Sequence, residues 1–237
     1  MRIIFTCGGT GGHIYPAVSV ANLIRERHPD AAILFVGAEN GMETRLVPRE
    51  GYELRTVRIA NLRHSLSPRA VKHNLRSLRL LLGANAEARR IIDDFKPDAV
   101  VGTGGYASYP VTLEAAKRGI PTAVHESNAM PGWTTRMLAS KVDVMLISFE
   151  ASRKYYPRAK RVETVGTPVR SGFFDRPAPS AKPLLLSFWG SLGARDMNRM
   201  MLGFMKLGGA FEHIHASGKS AFAEMSREAG DRVREFI

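Results

Sequence analysis

The chain has 237 residues, room for one or two domains with a sizeable core. Its 44% hydrophobic and 24% charged residues are those of an ordinary globular protein, and its one cysteine, Cys7, excludes an internal disulfide and fits a reducing compartment. No apolar run approaches the ~18 residues of a spanning helix, and the run from Ile3 to Phe5 is too short for a signal-peptide core, so a cytosolic chain is expected. Lys and Arg number 34 against 22 Asp and Glu, a net charge of +12. That balance points to an anionic partner: nucleic acid, a membrane surface or a phosphorylated substrate.

In chain order, Arg2-Ile3-Ile4-Phe5 reads as a buried parallel strand. Thr6-Cys7-Gly8-Gly9-Thr10-Gly11-Gly12-His13 follows. Ala17, Val20, Ala21 and Ile24 then recur at helical spacing, with Pro16 expected in the first turn. Glycines between a strand and a helix N-terminus admit positive φ and clear Cβ atoms from the path of a ligand. The amides freed there, with the helix dipole behind them, suit an anion such as diphosphate. The pattern is not the dinucleotide fingerprint, because Ile14 stands where a glycine is needed, and it lacks the Lys-Ser or Lys-Thr of a Walker loop.

Further strands are expected at 33–36, 54–59, 99–101, 122–124, 142–147 and 161–165, alternating with helices near 16–27, 41–50, 68–95, 108–118 and 133–140. That rhythm predicts a doubly wound parallel sheet, with ligands at the carboxyl ends of the strands. Pro177, Pro179 and Pro183 mark a linker over 170–183, separating a first domain, 1–169, from a partial second one, 184–237. Two more glycine loops share the strand–loop–helix setting: Gly102-Thr103-Gly104-Gly105-Tyr106, and Gly190-Ser191-Leu192-Gly193-Ala194-Arg195. Their spread over both domains suggests a cleft that receives phosphates from two sides. His125-Glu126-Ser127-Asn128 stands at the same rim, where it can handle a proton and bind hydroxyls, or serve only as a capping cluster.

From Arg55 to Ala86 there is no acidic residue and seven basic ones. Ser67-Pro68 opens a helix on which Arg69, Lys72, Arg76 and Arg79 form one stripe, with Leu80 among them, while Val71, Leu75, Leu78 and Leu82 form a core stripe. The alternatives are a solvated face or docking onto anionic lipid, worth ~1 kcal/mol per basic residue. Nucleic acid is not expected, because no aromatic platform or known binding motif accompanies the charge. His213 and His215 share a strand face at a spacing compatible with a metal, but no third ligand is evident, so no metal site is expected.

The glycine loops, His125-Glu126-Ser127-Asn128 and Gly166-Thr167-Pro168-Val169-Arg170 occur in the order and spacing of the MurG family, which the chain resembles over its whole length. The resemblance implies a GT-B architecture of two Rossmann-like domains, and a chain that stops within the second. It implies inverting transfer of N-acetylglucosamine from UDP-GlcNAc to the C4 hydroxyl of lipid I, giving lipid II for peptidoglycan, at the cytoplasmic face of the bacterial membrane and without a cofactor. It matches His13 to the histidine favoured for a catalytic role, and among the residues at this rim His13 is the expected base, with Glu126 second. Thr10, Gly11, Gly12, Asn128, Arg170 and Ser191 become donor contacts, and Gly8, Gly9, Gly104, Gly105 and Tyr106 acceptor contacts. Trp189, Thr167 and Leu192 depart from the family pattern, and weak donor binding is expected of this chain alone. The rival readings are a UDP-sugar epimerase of the same architecture and a non-catalytic lipid- or phosphate-binding half that needs a partner.

Overall fold

The computed structural model describes residues 1–60, 67–175, 182–189 and 193–235, with the side chains at 68–76 and 78–79 outside that description. It divides into two compact units, Met1–Phe174 and Asp175–Ile237.

In the first unit seven strands, β1 Arg2–Thr6, β2 Ala32–Ala38, β3 Glu53–Val57, β4 Ala99–Gly102, β5 Thr122–Glu126, β6 Val144–Ile147 and β7 Val162–Thr164, form one sheet. Its order is β3-β2-β1-β4-β5-β6-β7, with every pairing parallel. The connecting helices are α1 Gly11–Arg27, α2 Glu43–Arg49, α3 Pro68–Phe95, α4 Ser108–Lys117 and α5 Trp133–Leu138. Strand order reverses between β1 and β4, so the helices after these two strands, α1 and α4, leave to opposite faces of the sheet at its carboxyl rim.

Alternation along the strands builds two core layers. Ile3 and Phe5 point to one face with Phe35, where Ile14, Ala17, Val18 and Ala21 of α1 cover them. Ile4, Leu34, Val36 and Val100 point to the other, beneath Ala84, Ala88 and Ile92 of α3 and Val111 and Ala115 of α4. The central strands β1, β2 and β4 pack against core on both faces, which is why they read as largely apolar runs, whereas the edge strands β3 and β7 stay partly exposed.

Two local expectations are corrected. Helix α1 begins at Gly11, which puts Pro16 inside the helix rather than in its first turn. The proline removes the N–H that would reach the Gly12 carbonyl, and Gly12 is solvent-exposed, so that carbonyl stays open to solvent. On α3 the packed positions are Ser77, Ala84, Ala88, Ile91, Ile92 and Phe95, while Leu82, expected in the core stripe, is 72% exposed. Small residues at 84 and 88 set the phase of the buried face, and Leu82 lies two residues, about 200°, around the helix from Ala84.

The second unit carries β8 Leu184–Phe188, α6 Arg195–Leu207, β9 Glu212–Ala216, α7 Lys219–Ala229 and β10 Val233–Arg234. Its described strands form a parallel sheet of order β10-β9-β8, and Met205, Met225, Ala229 and Val233 make its small core. No described helix is long and apolar enough to cross a membrane.

Phe35 is fully buried between Phe5, with ring centroids 5.4 Å apart, and Tyr52, at 5.0 Å. Phe35→Ala is expected to lower the unfolding free energy by about 3–5 kcal/mol in chemical denaturation, because it leaves a cavity in a layer with no slack.

Candidate functional site

The first glycine loop leaves β1 at Thr6 and enters α1 at Gly11. Thr10 caps the helix in an extended conformation, and its carbonyl accepts the N–H groups of His13 and Ile14 at 3.1 and 3.2 Å. No side chain caps this end and no acidic residue stands in the first turn. The amides of Gly11 and Gly12 belong to that turn, where N–H groups have no intrahelical partner, and the dipole adds partial positive charge.

His13 Nδ1 lies 3.1 Å from the Thr103 carbonyl on the second loop. A carbonyl only accepts, so Nδ1 carries a proton, and in the neutral ring Nε2 is then the nitrogen with the lone pair. The Thr103 hydroxyl donates back to the His13 carbonyl at 2.6 Å. The two loops therefore clasp each other, and the clasp selects the tautomer that a proton-abstracting imidazole needs.

Gly104 and Gly105, expected to admit the acceptor's diphosphate, are shaped first by the protein itself. Both have positive φ, +99° and +81°. A Cβ at Gly104 would stand 2.7 Å from His13 Nδ1, and one at Gly105 would overlap the Gly8 carbonyl. The missing side chains make room for the catalytic candidate and for the neighbouring loop. Gly9, also expected at the diphosphate, has its N–H taken by the Glu43 carboxylate at 3.2 Å, and Gly8 is buried. Tyr106 is half-buried beside this loop, its phenol pushed up by burial and by the Glu43 charge.

Glu126 differs from its expected role as an alternative base. It is buried, and Oε1 accepts the backbone N–H and side-chain amide of Asn128 at 2.9 and 2.8 Å. Its Oε2 accepts Gly132 N–H at 3.0 Å and the Thr135 hydroxyl at 2.5 Å. Four donors fill the four lone-pair positions of a carboxylate. Glu126 therefore clips the 126–135 turn and has no oxygen free for a substrate. Asn128 stays solvent-exposed, with its amide nitrogen committed to that clip.

His125 donates from Nε2 to the Gly166 carbonyl at 2.9 Å, tying β5 to the segment that leads to Arg170. Burial lowers its pKa, against the opposing pull of the Gly166 carbonyl and of Glu126. Arg170 is exposed, and its guanidinium carbon lies 4.6 Å from the centroid of the Tyr15 ring on the first turns of α1. Thus His13, Thr10, Gly11, Gly12, Gly104, Gly105, Tyr106 and Arg170 gather at one rim of the first unit. Thr103, Tyr15 and Glu43 are the residues that sequence reasoning missed. The only sequence signal for Thr103 was its place inside a glycine loop.

Ser191 lies outside the described residues, as do the side chains of Arg69, Lys72, Arg76 and Arg79; Leu80 is half-buried. His213 and His215 are engaged with Ser187, whose hydroxyl lies 2.7 Å from His213 Nε2 and 2.8 Å from His215 Nδ1. His215 Nε2 meets Asn198 Oδ1 at 3.1 Å, and Asn198 Nδ2 donates to the Ser217 carbonyl at 2.8 Å. With Asn198 oriented this way, His215 must donate from Nε2 and accept at Nδ1 from Ser187, which in turn accepts from His213 Nε2. Burial lowers the pKa of both imidazoles.

A doubly wound sheet with glycine loops at its switch point, followed by a second unit that restarts the same strand–loop–helix pattern, defines a Rossmann-like α/β fold of the GT-B type. A model described as the glycosyltransferase family 28 N-terminal domain matches residues 3–147. The chain belongs to glycosyltransferase family 28. It is 44% identical over 211 residues to the UDP-N-acetylglucosamine--N-acetylmuramyl-(pentapeptide) pyrophosphoryl-undecaprenol N-acetylglucosamine transferase of Alkaliphilus oremlandii, a match over 85% of this chain and 57% of that protein. The chain thus spans little more than half of that relative's length. Among solved structures, Acinetobacter baumannii MurG matches all of this chain and 66% of its own at a TM-score of 0.66 and 26% identity. A UDP-GlcNAc 2-epimerase from Neisseria meningitidis matches with a TM-score of 0.56 at 13% identity, over 100% of this chain and 72% of its own, a likeness of fold alone.

The lowered histidines set a pH dependence. A histidine whose folded pKa is depressed binds its proton more readily when unfolded, so its stabilising effect is present above about pH 6.5 and is lost as pH falls through the folded value. Asp143, held below the carboxylate range by Lys160 and Thr122, acts only at more acid pH. The melting temperature is expected to fall between pH 7.5 and 5, and His125→Gln should flatten that slope. Melting curves by circular dichroism at both pH values check it.

Proposed function

We propose that the chain is the acceptor-side part of an inverting N-acetylglucosaminyltransferase that moves GlcNAc from UDP-GlcNAc to the C4 hydroxyl of lipid I, giving lipid II for peptidoglycan. The observation that carries the reading is the free Nε2 of His13, beside an uncapped helix N-terminus at the switch point. The relatives at 37–44% identity are named for this transfer, which favours it over the epimerase reading, whose support is the fold alone.

In the proposed step His13 Nε2 takes the proton of the acceptor hydroxyl as that oxygen attacks the anomeric carbon from the face opposite UDP. The bond from the anomeric carbon to the diphosphate oxygen breaks, and UDP leaves with the electron pair. The amides of Thr10, Gly11 and Gly12, the α1 dipole and Arg170 offset the charge gathering on the leaving diphosphate, so no step calls for a metal. Asn128 and Ser191 are proposed as further donor contacts by resemblance. The loop of Gly104, Gly105 and Tyr106, with Gly8 and Gly9 behind it, is proposed to line the acceptor side. Arg69, Lys72, Arg76 and Arg79, with Leu80, are proposed to hold the protein peripherally on an anionic membrane at its cytoplasmic face.

Radiolabelled UDP-GlcNAc with and without lipid I tests the reaction. Label is expected in the lipid product only when lipid I is present; release of a free epimerised sugar would favour the epimerase instead. In the full-length enzyme His13→Ala should reduce turnover by a factor of about 10² to 10⁴ with the fold retained. An unchanged turnover number removes His13 from the mechanism. Reversing Arg69, Lys72, Arg76 and Arg79 to Glu should abolish co-sedimentation with anionic vesicles at low salt, where such attraction is least screened.

A further inference from the structure

Glu43, the first residue of α2, is completely buried directly beneath the first glycine loop. Its Oε1 accepts Ala38 N–H at 2.7 Å, where β2 ends, and its Oε2 accepts Gly9 N–H at 3.2 Å. Glycines from three segments leave space for it. A Cβ on Gly8 would stand 2.6 Å from Oε1, and Cβ atoms on Gly37 and Gly41 would overlap the same side chain. Among the described residues no cation pairs with it. Its charge reaches both neighbouring loops: after burial itself, it is the second cause raising the Cys7 thiol and the Tyr106 phenol.

A buried carboxylate with no cationic partner is a costly group to keep. Behind a loop that faces anions it also repels the ligand. What it supplies is direction: an ionised carboxylate only accepts, so the amides it holds must turn inward. Gly9 precedes Thr10, the cap whose carbonyl starts α1 and receives the His13 amide.

We propose that Glu43 is a positioning residue of the transfer site, holding Gly9 from beneath so that Thr10, Gly11 and Gly12 present their amides to a diphosphate and His13 meets Thr103. The proposal rests on reading this loop as a diphosphate site. Glutamine fills the same volume, but its amide group sets a donor against Gly9 N–H or Ala38 N–H, so one of the two bonds is lost. The sign of the effect separates geometry from charge. Neutralising a negative group behind an anion loop should by itself strengthen anion binding. If Glu43 acts by position, Glu43→Gln weakens it.

The test uses the 237-residue chain, inorganic diphosphate as probe, and Ile92→Ala as a destabilised control on the opposite face of the sheet. Calorimetry is expected to show about tenfold weaker diphosphate binding for Glu43→Gln, and binding within twofold of wild type for Ile92→Ala. Nuclear magnetic resonance should show the Gly9 amide moving upfield and the His13 ring nitrogens changing shift, as the bond to the Thr103 carbonyl is lost, in Glu43→Gln only. Unchanged or tighter binding with unchanged His13 ring-nitrogen shifts overturns the proposal, and so does an equal loss in both variants. If the wild type ignores diphosphate, the diphosphate reading of the loop fails, and the Gly9 and His13 signals still decide the positioning role. Should Glu43→Gln not fold, hydrogen exchange of Gly9 in the wild type decides: protection supports the clasp, and exchange at the rate of an open loop overturns it.

Discussion

The clasp between His13 and Thr103 is the constraint on which the rim of the first unit depends. Strands β1 and β4 are neighbours with Thr6 opposite Gly102, so the loops that follow must run side by side. Two hydrogen bonds of opposite direction lock them, one from an imidazole to a backbone carbonyl and one from a hydroxyl to another. The tautomer of His13, the absence of side chains at 104 and 105, and the closeness of the second loop to Gly8 all follow from that crossing. A site built this way is held by side chains that bond backbone carbonyls of the facing segment, just beyond the ends of two adjacent strands.

Buried carboxylates serve the same rim as clips for backbone amides. Glu126 closes the turn after β5 through Asn128, Gly132 and Thr135, and Glu43 joins the ends of β1 and β2 through Gly9 and Ala38. Neither is held by an ion pair among the described residues. Most ion pairs lie elsewhere with at least one partner well exposed, as in Arg58 with Glu87 and Lys160 with Asp143, where such contacts contribute little; Arg118 with the buried Glu114 is an exception. Charge at the surface of this protein is largely a matter of solubility and encounter; charge in its interior orients peptide groups.

Much of the architecture was legible because parallel strands announce themselves. The runs at 2–5, 33–36 and 99–101 are apolar on both faces, and each is followed by glycine or by the glycine loop. His13 was legible as a candidate for the same reason, as the imidazole that directly follows such a loop. Glu43 was not, because a single acidic residue opening a short helix looks like any surface N-terminal acid, and only the tertiary approach of Gly8, Gly37 and Gly41 buries it. Glu126 was misread because the sequence shows a carboxylate beside a histidine but not how many amides converge on it. The phase of α3 was lost to a similar cause. Leucines at 78 and 82 outweigh alanines in any hydrophobic pattern, yet alanines at 84 and 88 let the helix approach the sheet.

The chain of side chains in the second unit shows how far one such orientation reaches. Asn198 is held by its bond to the Ser217 carbonyl, and from there each donor and acceptor is dictated in turn through His215 and Ser187 to His213. Two imidazoles and a hydroxyl thus share a single permitted arrangement of protons, written by one amide at the start of α6. Information passes through that row as polarity, with no net charge moving. A change that reversed the amide would invert every link, from the end of the third glycine loop to the middle of the sheet.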